Sequence, residues 1–199
     1  MRHAVDYYFA PNSPWTYLGH ERLTRMLKAA NASVRVLPMD LGEIFPISGG
    51  LPLPKRAPQR QAYRLLELRR FSEALDVPLN VQPRYFPVAA DDAARLIIAV
   101  EQQAGADAAM VLTGAIGAAV WAQERNIADA ATLGELLAEC SLSPDLLALS
   151  QTPEVQACYA RNTQSAIEAG VFGAPSYVVN GELFWGQDRL DFVERCLGA

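Results

Sequence analysis

A chain of 199 residues with 51% hydrophobic content can bury a full core, and its net charge of -5 with a pI near 5.1 argues against sequence-independent nucleic-acid binding, which needs basic surface. Cys140, Cys158 and Cys196 are odd in number, far apart, and lack a C-x-x-C pattern or a nearby His, so neither a disulfide framework nor a zinc site is indicated and reduced, buried thiols are expected. Met1-Arg2-His3-Ala4-Val5-Asp6 shows no apolar signal region and no linker is long enough to separate two independent modules, and the composition agrees with the expectation of a cytoplasmic enzyme.

Residues 5–9 read as a short strand that Pro11-Asn12 breaks. Ser13-Pro14-Trp15-Thr16-Tyr17-Leu18 then opens a helix in which Leu18, Leu23, Met26 and Leu27 fall mostly on one face. Residues 34–37 form a second strand, so 4–38 is a β-α-β unit. Ser13 has three readings. It can be the N-cap of the helix, with Pro14 at the first helical position. As a nucleophile it needs a base, and the two histidines, His3 and His20, show no spacing that delivers one. As a hydrogen-bond donor to a thiolate brought in by a cofactor it needs only its hydroxyl and the helix N-terminus, and this third reading fits the rest of the chain best.

The middle of the chain is helical and bears little chemistry. Residues 62–74 carry Leu65, Leu66, Leu68 and Phe71 at helical spacing, with Val77-Pro78 beyond them, and 93–104 continues in the same manner. Residues 107–123 form the most apolar helix, with Met110, Val111, Leu112, Ile116, Val120 and Trp121. Its length falls below that of a membrane span, so a buried core helix or a helix-helix contact is the better reading. Further helices fit 131–140, 144–149 and 153–169. Residues 55–165 thus read as a helical domain inserted into a unit made of 1–54 and 166–199.

The second half of that unit is the most informative stretch. Phe172-Gly173-Ala174-Pro175 is a loop before a strand centred on Val178 and Val179, Asn180-Gly181 favours a two-residue turn with positive φ at both positions, and Leu183 to Trp185 return. Trp185 reads more readily as core than as contact. Asp188 sits where an N-cap or first-turn acid stabilises a helix through Leu190, Val193 and Leu197. Arg189 reads as a surface charge.

A β-α-β unit followed by a loop proline, a hairpin and a terminal helix resembles a thioredoxin-like domain, an α/β fold here with an inserted all-helical domain. At the start of the first helix, where thioredoxin-like oxidoreductases carry Cys-x-x-Cys, this chain has Ser13 and Thr16, and neither exchanges disulfides. Asp6-Tyr7-Tyr8-Phe9, Ser13 to Leu18, Gly170 to Pro175 and Gly181 to Leu190 resemble the 2-hydroxychromene-2-carboxylate isomerase and kappa-class glutathione transferase group of DsbA-type proteins. That resemblance implies glutathione as the cofactor, with Ser13 bonding its sulfur and the backbone of Ala174, before a cis Pro175, pairing with its cysteinyl main chain. Trp185, Gly186, Gln187 and Asp188 would surround the γ-glutamyl end, with Asp188 facing the ammonium. A homodimer without metal is implied as well.

For the acceptor substrate, the resemblance places Pro46, Gly50, Leu51 and Tyr85 around an aromatic, unsaturated ketoacid. Where the group commonly carries a lysine and an asparagine, this chain has Pro46 and Gly50. Lys55, Arg56 and Arg60 are either a solvated face or the replacement for that lost charge. Tyr85 either lies against the substrate or packs its loop onto the core. The implied reaction is a cis-trans isomerisation through reversible thiolate addition. Two alternatives stay open: a kappa-like transferase acting on an electrophile that keeps the sulfur, and a non-catalytic binding module.

Overall fold

The computed structural model describes residues 4–198, so His3 lies outside the described residues. One mixed sheet contains β1 (Ala4–Phe9), β2 (Ser33–Pro38), β3 (Ser176–Val179) and β4 (Glu182–Trp185) in the order β2-β1-β3-β4. β1 is parallel to β2 and antiparallel to β3, and β3 pairs antiparallel with β4. Asn180 and Gly181 between them stand at φ 52° and 83°. These are the positive values that the tight turn demands and that Asn-Gly tolerates.

Helices fill the connections. α1 (Pro14–Ala29) joins β1 to β2; α2 (Leu41–Ser48), α3 (Pro58–Leu75), α4 (Asp91–Trp121), α5 (Ala130–Glu139), α6 (Leu146–Leu149) and α7 (Pro153–Glu168) lie between β2 and β3; α8 (Leu190–Leu197) ends the described chain. α3 begins earlier than the apolar pattern indicates because Pro58 occupies its first turn, where the missing N–H costs nothing. α4 is interrupted at Gly105, whose φ of 86° only glycine adopts readily, at the point that separates the two helices expected from sequence. Taken whole, α4 has the length and apolar character of a membrane span, yet half of its most apolar window is buried within the fold.

Strand alternation sends side chains to two covered faces. Val5, Tyr7, Phe9, Tyr177 and Val179 share a core with Leu96, Ile97 and Val100 of α4 and with Leu190 and Val193 of α8. Tyr8 and Leu37, on the opposite face, pack with Ile44 of α2 and Ala166 of α7. The helical segment between β2 and β3 therefore shares its core with the sheet. The Tyr8 hydroxyl meets Ser165 Oγ at 2.9 Å, and the Glu101 carboxylate accepts the Val36 N–H at 3.0 Å on the edge strand β2.

Tyr177 is completely buried and stacks on Tyr7 at 5.6 Å, but its hydroxyl has no hydrogen-bond partner among the described residues. An unpaired buried hydroxyl is a net cost, so Tyr177→Phe is expected to hold or raise stability, by about 1 kcal/mol. Urea unfolding checks this. A loss of stability would mean that the hydroxyl is paired in solution.

The cysteines differ from expectation. Cys140, Cys158 and Cys196 are free but only half-buried, each packed against the margin of the main core. Burial still pushes the Cys140 thiol up, with Glu139 adding to the effect.

Candidate active site

The site starts from the turn between β1 and α1. Ser13 has extended backbone angles, φ -77° and ψ 126°, and its Oγ accepts the Thr16 N–H at 3.3 Å. Its own N–H donates to the Ala10 carbonyl at 3.0 Å. Pro14 at the first helical position has no N–H to satisfy. Ser13 is thus a true N-cap, and its O–H is left without a protein acceptor among the described residues. The Thr16 hydroxyl, one turn on, is buried and also lacks a partner. In the sequence Thr16 marks only a missing thiol, although a threonine in the first turn beside an N-cap serine is a signal for a second hydroxyl at this helix start.

The Ala174-Pro175 peptide is cis, as the resemblance implies. Ser176 pairs with Tyr8, which sets Pro175 level with Phe9, at the end of the sheet from which the 10–13 turn enters α1. Ser176 also pairs with Trp185, and the Pro175 carbonyl accepts the Gly186 N–H at 2.9 Å. Register therefore brings Ser13, Pro175 and Gly186 to one end of the sheet. The backbone N–H and carbonyl of Ala174 bond to no protein group among the described residues, leaving one donor and one acceptor for an extended ligand.

The residues after β4 divide. Gln187 is buried and packs against α1 at Gly19, where a Cβ would approach the Gln187 Cβ to 2.7 Å. Its side chain docks the turn on the helix, and the residue as a whole is covered. Asp188 is exposed and accepts from Arg189 Nη1 at 2.7 Å. It does not cap a helix: no side-chain cap is formed at the 3-10 turn Gln187–Arg189 or at α8, because the left-handed Gly186, φ 102°, makes that entry. Trp185 is not core either. It is 51% exposed and leans on Phe172 at 4.8 Å, since β4 is an edge strand whose outer face is uncovered at this end.

On the acceptor side, Pro46 is exposed inside α2, a helix not expected from a stretch containing proline and glycine. Asp40 caps it, its Oδ1 accepting the Gly42 N–H at 2.6 Å. Gly50 lies against the Phe45 ring and Leu51 is half exposed. Tyr85 is half-buried under the Arg84 guanidinium, 5.2 Å away, in a loop with a second cis peptide at Phe86-Pro87. Asn12 Nδ2 donates to the Val88 carbonyl at 2.7 Å and so ties the Tyr85 loop to the Ser13 turn.

His20 lies on α1 but points into the core. Nε2 meets the Met110 carbonyl at 2.8 Å, which only an Nε2–H can satisfy, so Nδ1 accepts from the Tyr7 hydroxyl at 3.3 Å. Burial lowers its pKa to about 4. A neutral, fully engaged imidazole supplies no base for Ser13.

A model of the DSBA-like thioredoxin domain matches residues 4–198. The chain belongs to this family. It is 27% identical to a 2-hydroxychromene-2-carboxylate isomerase of Sphingobium xenophagum over 99% of both proteins. Human glutathione S-transferase kappa 1 is 23% identical, over 98% of this chain and 90% of that protein. The structure of a 2-hydroxychromene-2-carboxylate isomerase superposes with a TM-score of 0.83 at 22% identity, covering 98% of this chain and 94% of the other, a likeness of fold. These full-length relatives are isomerases and glutathione transferases, which supports enzyme status for a family member with Ser13 and Thr16 at the start of α1.

Proposed function

We propose that this protein is a glutathione-dependent isomerase acting on an aromatic, unsaturated ketoacid of the 2-hydroxychromene-2-carboxylate type, in the cytoplasm. The observation that carries the reading is the Ser13 hydroxyl: capped by Thr16 N–H on its lone pair, it keeps its O–H free at a helix N-terminus. Bound glutathione supplies a sulfur nucleophile that turns a conjugated double bond for a time into a rotatable single bond. Ser13 holds that sulfur as thiolate by hydrogen bond, and the partial positive charge of α1 adds to it. The orphaned Thr16 hydroxyl gives a second donor beside it. Ala174 presents its free N–H and carbonyl to the tripeptide backbone, and the half-buried Tyr85 flanks the acceptor. Pro46, Gly50 and Leu51 contribute surface without charge.

The test is turnover of the chromene acid with and without glutathione, with free glutathione measured afterwards. The isomerase reading expects conversion only with glutathione and full recovery of the free thiol. Stoichiometric loss of the thiol would instead identify a transferase, and no dependence on glutathione would reject both.

Asp188 is the exposed carboxylate nearest to Gly186 on the chain and the natural partner of the γ-glutamyl ammonium. Asp188→Asn is expected to weaken glutathione binding by about tenfold while leaving turnover at saturation unchanged, since a charged hydrogen bond is worth roughly 1.5 to 3 kcal/mol. Calorimetry measures this directly. Unchanged affinity would leave Asp188 with Arg189 alone.

A further inference from the structure

Arg64 is a half-buried cation with no carboxylate partner among the described residues. Its guanidinium lies over the rings of Phe86 and Trp121, 5.2 and 5.7 Å from their centroids. Ring faces attract the charge but leave its five N–H donors unfilled. Burial lowers its pKa to about 10, with the charge of Arg56 adding to that effect. Arg56 is itself half-buried: its Nε donates to the Leu51 carbonyl at 2.8 Å, and the rest of its fork meets no protein oxygen among the described residues. Drawing two like charges out of water without a counter-charge is unfavourable, and an anion between them relieves it.

The position of this pair is as informative as its charge. Arg64 precedes Phe71 by two turns of α3, about 10 Å along one face. Phe71 meets Trp15 edge-on at 6.0 Å, two residues beyond Ser13. Phe86 belongs to the loop that Asn12 ties to the Ser13 turn through Val88. Arg56 holds the Leu51 backbone. The two cations thus bridge the Leu51 and Tyr85 loops on the flank of the Ser13 site.

We propose that Arg64, with Arg56 beside it, binds the carboxylate of a planar aromatic acid whose ring lies along the Tyr85 and Phe86 loop. A guanidinium fork matches both carboxylate oxygens at once, which makes this pair the determinant of preference for acids over neutral analogues. The inference rests on the isomerase reading for the identity of the acceptor, but not for the existence of the subsite.

Binding of trans-cinnamate and of its neutral isostere cinnamamide, measured by calorimetry and tryptophan fluorescence without glutathione, tests it. The wild-type protein is expected to bind cinnamate at least about tenfold more tightly than cinnamamide. Arg64→Gln should abolish that preference, Arg64→Lys should keep part of it, and Arg56→Gln should reduce it several-fold with α3 undisturbed. Glutathione binding, titrated separately, should be the same in all four proteins. Cinnamate bound equally well by wild type and a folded Arg64→Gln, or no wild-type preference over cinnamamide, would overturn the subsite. Failure of glutathione to bind would reject the isomerase reading instead and leave the anion result standing by itself.

Discussion

Replacing Ser13 by alanine is expected to raise the pKa of the bound glutathione thiol by about one to two pH units and to lower the rate at neutral pH by about tenfold or more. The figure follows from one hydrogen bond to a charged group, roughly 1.5 to 3 kcal/mol, because the helix dipole survives the substitution. Ser13 has a second role that the same variant removes: its Oγ caps α1 through the Thr16 N–H, and losing an N-cap costs about 1 kcal/mol of stability. The two effects separate with Ser13→Asp, which caps the helix equally well but places a negative charge against the thiolate. That variant should match wild type in urea unfolding and be less active than Ser13→Ala. If Ser13→Ala and Ser13→Asp both turn over at the wild-type rate, the serine is a helix cap and nothing more.

His20 should make the fold acid-labile. In the folded chain burial lowers its pKa to about 4, and the unfolded chain returns it to about 6.5, so between these values the unfolded state binds more protons. Stability from this group is complete above pH 6.5 and falls away as pH drops toward 4, a loss of about 3 kcal/mol. In the charged form Nδ1 carries a proton, so the Tyr7 hydroxyl must turn from donor to acceptor and its own buried O–H loses its partner, while Met110 keeps the Nε2–H. His20→Gln should therefore start less stable at pH 7 and lose less on acidification, the two pH profiles differing by about one proton. Parallel profiles would mean that His20 is not neutral in the core.

The fold was legible where local chemistry and tertiary packing agree. Asn180-Gly181 fixes the hairpin, Ser13-Pro14 fixes the start of α1, and the apolar runs of β1 and β3 leave few other pairings. α2 was hidden because Pro46 and the glycines around it oppose a helix by propensity, while the Asp40 cap and the burial of Ile44 favour it from outside the local pattern. Trp185 reads as core by type and ends on an edge strand, which depends on strand order and not on neighbours in sequence. Gln187 likewise carries no sign of burial until Gly19 is placed against it. Of the candidate site, the Ser13 end and the cis proline could each be read from a motif of contiguous residues, Ser13 to Leu18 at one end of the chain and Gly170 to Pro175 near the other. Arg64 could not, because what distinguishes it from the other arginines of α3 is the pair of rings, Phe86 and Trp121, that distant segments bring under it.

The most direct measurement is an ultraviolet titration of glutathione bound to the wild-type protein, following thiolate absorbance against pH. A hydroxyl donor and a helix N-terminus acting together should bring the bound thiol about one to three units below an ordinary thiol near 8.5, with thiolate already abundant at pH 7. Glutathione that binds and still titrates at its free value would contradict the assignment of Ser13 and α1 as the site of thiolate activation.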